Sequence, residues 1–469
     1  MKLSFLQEPE LKFGDGSHLD IKFGLMNFGP LDKGTTMAPK EIRVGLIGTN
    51  ETIQALVEWF KRCEEGIPAK ISTKPKPNLF PKFPGFGFDK PLPAKLVYDK
   101  GAFRILPMSV INQIIKYGVT DKVVEEAVNT LVSEARYLAE NKNIDVIVFA
   151  PPVELLKMLK AEDYRNQKFD FRNLLKAKVM QLKKPCQVIL PTTYNLSSPS
   201  TLKNFKSNLQ DEATIAWNFY TALYYKAGGV PWRIKQSPSD FTTCYIGIGF
   251  YESLDKSTIQ TSIAQVFNER GEGIILRGGQ AQISKEDRKP YLEETGAYSL
   301  LIEALGKYKE EHQTLPARVV IHKTSEFRGE ELNGFTKAVQ EKGISLVDFV
   351  SIYEPKTRLL RIAAYPPLRG TFLNIDDKYN ILYTRGSINF YQTYPGLYIP
   401  APLGFRCDRV EQSPQQIAEE ILVLTKMNWN NTSFDNSDPI TIVAARRVGA
   451  ILKYIDEHEN VESRYSYYI

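Results

Sequence analysis

The chain has 469 residues, 43% apolar and 24% charged, with a formal net charge of +6. That length exceeds one ordinary core and points to two large units, while the composition excludes intrinsic disorder and the mild basicity suits a polyanion without identifying one. Four scattered cysteines (Cys63, Cys186, Cys244, Cys407) and four histidines form no CxxC, HExxH or similar cluster. This argues against a disulfide framework and against a zinc enzyme; with no leader-like N-terminus and no membrane-length apolar run, a cytoplasmic protein away from membranes is expected.

In chain order, Glu41 to Leu46 reads as a buried strand, Ile47 to Asn50 as a turn and Glu51 to Cys63 as a helix. Between Ile67 and Lys95 the prolines 68, 75, 77, 81, 84, 91 and 93 forbid a regular element, so a long ordered arm is expected. A helix over Asp121 to Asn141, a strand Ile144 to Phe149, a helix Phe171 to Leu182 and a strand Gln187 to Leu190 follow. Apolar strands alternating with helices imply a parallel sheet covered on both faces, hence a Rossmann-like α/β unit over residues 1–230.

The pattern changes near Val230-Pro231-Trp232. Thr243 to Tyr251, Thr258 to Phe267 and Gly273 to Leu276 predict a meander. A helix Glu293 to His312, a strand Arg318 to His322, further strands up to Tyr398, and closing helices Gln415 to Lys426 and Ile440 to Asp456 complete residues 231–469. Three antiparallel strands, a helix and then a parallel strand are the order of a ribonuclease H-like fold, and the chain as a whole is read as α/β.

Arg172 and Lys176 are four residues apart on one predicted helix face, Gln187 opens the next strand, and the helix Ala213 to Lys226 ends in Tyr224-Tyr225-Lys226-Ala227-Gly228-Gly229. Two lysines, an arginine, an amide and a stacking tyrosine suit a terminal phosphate and its nucleotide. Taken singly, basic pairs at this spacing are usually solvated helix surface. Their order, R-xxx-K, Gln, then K-A-G-G, resembles the MID domain of Argonaute proteins, where His or Tyr stands in place of Arg172.

The strand Tyr245-Ile246-Gly247-Ile248-Gly249-Phe250 resembles the first PIWI strand, whose I-G-I-D carries a catalytic aspartate; here the residue is Gly249. Thr324 stands where the second aspartate follows His-Lys, and Thr441 to Arg447 carries neither Asp nor His at the last position. Cleavage by two Mg²⁺ needs several carboxylates, so no slicing is expected, and Glu252 and Asp255 read as surface acids.

With Gly29-Pro30-Leu31, Phe83-Pro84-Gly85-Phe86, Leu424 to Asn430 and the terminal Ser-Tyr-Tyr-Ile, the chain resembles short prokaryotic Argonautes, built as MID followed by PIWI. That resemblance implies a guide 5′-phosphate site at Arg172, Lys176, Gln187, Lys226 and Ile469, whose carboxylate would help hold a structural Mg²⁺. It implies a 5′-phosphorylated guide RNA and a complementary single-stranded DNA target. It also implies a heterodimer, able to oligomerise when active, with an APAZ-containing effector of TIR or sirtuin-like type that depletes NAD in defence against plasmids or phage. Lys323, Arg328, Arg446 and Arg447 are candidates for nucleic-acid backbone contacts, or else ordinary surface charge. An active guided nuclease using displaced carboxylates such as Glu252, and a nucleotide-binding α/β enzyme, remain as alternatives.

Overall fold

A computed structural model describes residues 1–71, 78–159, 169–194, 210–235, 241–266, 273–362, 366–392, 394, 399–456, 459 and 461–469, with the side chains of 264–266 left aside. The first half holds a parallel sheet in the order Lys95–Val97, Glu41–Gly48, Val146–Ala150, Cys186–Val188, with Phe103–Ile105 also pairing the Glu41–Gly48 strand. All five residues of Val146–Ala150 are buried, as a strand covered on both faces requires. Asn50–Glu65 starts with a Thr49 capping box, and the long helix spans Asp121–Asn141 as expected.

The proline-rich arm is anchored by aromatic side chains. Phe83 packs edge-on against Trp217 at 5.1 Å and Phe86 stacks on Tyr220 at 5.3 Å. Trp217 Nε1 donates to Lys82 O and Tyr220 Oη to Ala94 O, so the arm is tied along the helix Glu212–Lys226.

The second half is built on a ten-stranded mixed sheet. Its centre runs Gly273–Ile283, Ile259–Val266, Thr243–Glu252, Arg318–Lys323, Leu346–Tyr353, with the first three antiparallel and the last two parallel to Thr243–Glu252. This is the ribonuclease H-like order. Phe267 and residues 395–398 lie outside the described residues; beyond Leu346–Tyr353 the strands are Thr371–Asn374, Tyr379–Leu382 and Leu403–Arg409. The helices Glu294–His312 and Gly329–Glu341 pack together, and Ile440–Leu452 lies on Thr243–Glu252 and Ile259–Val266.

The division at residue 230 is crossed by the first segment. Lys2–Phe5 pairs with Thr371–Asn374 as the outermost strand of the second sheet, and Leu11–Lys12 pairs with Arg233–Ile234. Glu8 bridges the buried Arg369 and Lys426, each at 2.8 Å. Among the described residues no helix is long and apolar enough to cross a membrane.

Candidate nucleic-acid interface

Asp170 caps the helix Phe171–Met180 by accepting from Asn173 N at 2.8 Å, which fixes the turn that carries Arg172. Phe171, Leu174 and Leu175 are buried, leaving Arg172 exposed and Lys176 half-buried on the opposite side. Lys176 Nζ donates to Tyr468 O at 3.3 Å, and the next residue, Ile469, is 1% exposed. The end of the described chain therefore seats against this helix.

Lys226 arrives from the far side. It is the last residue of Glu212–Lys226, is 5% exposed, and donates to Gln187 Oε1 at 2.7 Å. The chain can turn sharply behind it because Gly228 adopts φ +93° and because a Cβ on Gly229 would lie 2.3 Å from the Tyr224 ring. The two tyrosines are spent on packing: Tyr224 Oη bonds Asp32 at 2.6 Å, and Tyr225 stands edge-on to Trp429 at 4.7 Å. Tyr224 is thereby held away from any nucleotide, while Tyr225 lines a pocket beside Lys226, Gly228 and Gly229.

Electrostatics identify a fourth member. Burial, followed by repulsion from Lys176 and Arg447 that Cys186 partly offsets, holds Lys226 well below the usual lysine range. Burial, then Arg447 and Arg172, opposed by Cys186 and Asp170, bring Lys176 down to about 8. Partial burial and Arg447 likewise depress Arg172 against the pull of Asp170. Arg447, expected beside the nuclease strands, thus belongs with the phosphate-type cluster. Among the described residues no ion pair engages Arg172, Lys176, Lys226 or Arg447. Four cations brought together without a paired carboxylate disfavour one another, and an anion relieves that strain.

The nuclease-like centre is closed in a different way. The ladder ends with Gly247 opposite His322 and Ile248 opposite Lys323, and Gly249 and Thr324 are the residues that follow on the two chains. The helix Ile440–Leu452 lies directly over Gly247 and Gly249. A Cβ on Gly247 would fall 2.0 Å from Thr441 O, and one on Gly249 would fall 3.0 Å from the Ala445 carbonyl carbon and 3.0 Å from Ser262 Oγ. His322, fully buried, holds Thr441 Oγ1 at 2.8 Å and is drawn down to about 3 by burial and by Arg318.

Lys323 is not a surface contact. Its side chain is fully buried, bonded to Glu331 at 2.5 Å on the opposite sheet face from Thr324. Arg328, half-buried, is shared among Ser284, Glu286 and Asp287 and lies over the Tyr291 ring. Thr324 and Arg446 do face open space: a cleft of about 770 Å³ is lined by both, with Glu326, Tyr353, Arg406 and Asp438. Arg406 was not anticipated, because nothing in the apolar strand around it marks a functional cation. Glu252 is an exposed strand end, and Asp255 accepts from Ser253 and Ser257 within a turn. Among the described residues no group of three or more His, Cys, Asp or Glu side chains is arranged to hold a metal.

No family model matches the sequence, and no curated protein does. Solved structures do. Clostridium butyricum Argonaute, bound to a guide DNA and a 19-mer target DNA, matches at TM-score 0.66 and 18% identity over 97% of this chain and 53% of its own. Aa-Ago with externally bound siRNA matches at TM-score 0.63 and 15% identity, covering 100% of this chain and 56% of that one. Drosophila Piwi matches at 0.57 and 12%, covering 99% and 56%. The fold is therefore that of the MID and PIWI part of Argonaute proteins, and the chain spans about half the length of the structures it matches.

Proposed function

We propose that this chain holds the 5′-phosphorylated end of a guide strand among Arg172, Lys176, Lys226 and Arg447, and presents that guide for pairing with a complementary target. The observation that carries the reading is the cluster of four cations without ion-pair partners among the described residues, in a fold similar to guide-loaded Argonaute. A terminal phosphate bears nearly two charges at neutral pH and accepts several charge-assisted hydrogen bonds, which matches two lysines and two arginines. Gln187, already bonded to Lys226, orients that lysine.

The resemblance also implies a Mg²⁺ at this phosphate. The side chains present offer a dication little: the amide oxygen of Gln187 is occupied by Lys226 and no described carboxylate side chain pairs with the cluster, so the Ile469 carboxylate, seated beside Lys176, would be the protein oxygen left to hold it together with the phosphate. Cation side chains would do most of the neutralising.

The chain itself is read as non-cleaving. Gly249 and Thr324 supply no carboxylate, and the closing helix crowds the place where a side chain at 249 would stand. Guide RNA, a single-stranded DNA target, and an APAZ effector of TIR or sirtuin-like type that consumes NAD rest on the resemblance alone. The test is direct. Binding of 5′-phosphate and 5′-hydroxyl guides is compared, and the loaded protein is offered matched target with Mg²⁺ or Mn²⁺. Strong preference for the phosphate and an intact target are expected; equal binding of the two guides would falsify the pocket, and guide-directed cleavage the second claim.

A further inference from the structure

We infer that the degenerate nuclease cleft is a phosphodiester site whose arginines, Arg406 and Arg446, are latched by carboxylates that a target strand must displace. This deepens the guided-recognition reading and rests on it.

Arg406 projects from the Leu403–Arg409 strand between two acids: Glu326 at 2.5 Å and, on its other amino group, Asp408, which Ser351 Oγ holds from behind at 2.5 Å. Its guanidinium is 7% exposed, yet among the described residues its Nε is buried without a hydrogen-bond partner. A buried N–H left unpaired is costly, and it marks a donor awaiting an acceptor. Arg446 stands across the same cleft, paired with Asp438 at 3.1 Å.

The two outer acids differ from the inner one. Glu326 is 59% exposed and Asp438 26%, whereas Asp408 is 6% exposed. Solvent-exposed pairs are weakly held, so Glu326 and Asp438 are the ones a phosphate can replace, while Asp408 keeps Arg406 in position. The hydrogen bond from Arg406, opposed by partial burial, lowers the Glu326 carboxyl, so at neutral pH it stays charged and paired with Arg406 at the cleft wall. A loosely paired strand that dips only partway in exchanges nothing; a strand held along the guide swaps two carboxylates for its backbone. The latch thus favours fully paired targets.

Both displaced acids lie in short connections that lead into helices. Glu326 lies between the Arg318–Lys323 strand and the helix Gly329–Glu341, and Asp438 precedes Pro439, the N-cap of Ile440–Leu452. Arg446 and Arg447 are successive residues of that last helix, one lining the cleft and one in the phosphate cluster.

The experiment uses guide-loaded protein and matched targets in which single linkages are replaced, one position at a time, by uncharged methylphosphonate. One or two adjacent positions should lower affinity about five- to tenfold, in line with losing a charge-assisted contact. The double variant Glu326→Gln, Asp438→Asn should bind the fully charged target about two- to fivefold more tightly and discriminate less against mismatches. That gain should vanish when the sensitive linkage is neutral. A scan with no sensitive position, or no gain on removing the two acids, overturns the latch. If the same preparation shows no preference for 5′-phosphate guides, the guided-recognition reading falls instead.

Discussion

Raising the pH should weaken the preference for a guide 5′ phosphate that the proposed pocket would confer. Lys176 is held at about 8 by burial and its cationic neighbours, so it loses its charge well before an ordinary lysine does. A phosphate binds the charged form, and the guide must therefore carry a proton into the pocket as pH rises through that value. The protonated fraction falls from about 0.9 at pH 7 to about 0.1 at pH 9, which lowers affinity roughly tenfold, or about 1.4 kcal/mol. The phosphate is not the source of the change, since its second ionisation is complete above about pH 7. Fluorescence anisotropy of labelled guides at constant ionic strength measures it, with the 5′-hydroxyl guide as the reference that should barely respond. A ratio of the two affinities that stays flat from pH 7 to pH 9 would refute both the depressed lysine and its contact with phosphate.

Arg447→Ala should reduce the 5′-phosphate preference and shift the pH midpoint upward, because the charge that depresses Lys176 is gone; Arg446→Ala should act on target affinity and lower its log–log salt slope by about 0.7 to 0.9. Gly249→Asp should cost about 1 to 3 kcal/mol in urea unfolding from crowding against Ala445 and Ser262, and gel assays should still find the target uncut. His322 titrates near 3 when folded and near 6.5 when unfolded, so the unfolded chain takes up the extra proton and stability falls with acidity across that window. By pH 5 the loss should reach about 2 kcal/mol relative to pH 8, and His322→Gln should flatten that slope in denaturant midpoints.

Much of the fold was legible because local patterns agree with it. The helix Asp121–Asn141 has the predicted bounds, and the order of strands and helix through Arg318–Lys323 carries the ribonuclease H-like topology. The strand Gly273–Ile283 was read too short because Arg277, Gly278 and Gly279 break the apolar run, while its ladder with Ile259–Val266 continues regardless. Gly329–Glu341 was not anticipated: it starts at a glycine behind Arg328, with no Ser, Thr, Asp or Asn to announce it.

The site was legible where spacing carries geometry. Arg172, Lys176, Gln187 and Lys226 are set by a helix face, a strand start and a helix end, and they meet. Lys323 was misjudged because alternation along a strand does not say which face a later helix will cover; Glu331, eight residues on, is what buries it. Arg447 was grouped with Arg446, but one residue along a helix turns a side chain by about 100 degrees, and its charge acts on Lys176 and Lys226. Arg406 and the two tyrosines depended on partners far away in sequence.

The outermost strand has a consequence for synthesis. Lys2–Phe5 leaves the ribosome long before Thr371–Asn374, the strand it pairs with, and Glu8 waits as long for Arg369 and Lys426. The nascent head must therefore stay unpaired while the whole parallel-sheet unit forms behind it, and only about the last fifth of translation lets it dock. Cutting a gene at codon 230 would give one product with a homeless strand and another whose Arg369 and Lys426 are buried without their shared acid. Neither fragment should accumulate as a folded protein, whereas co-expressing both should rescue them together.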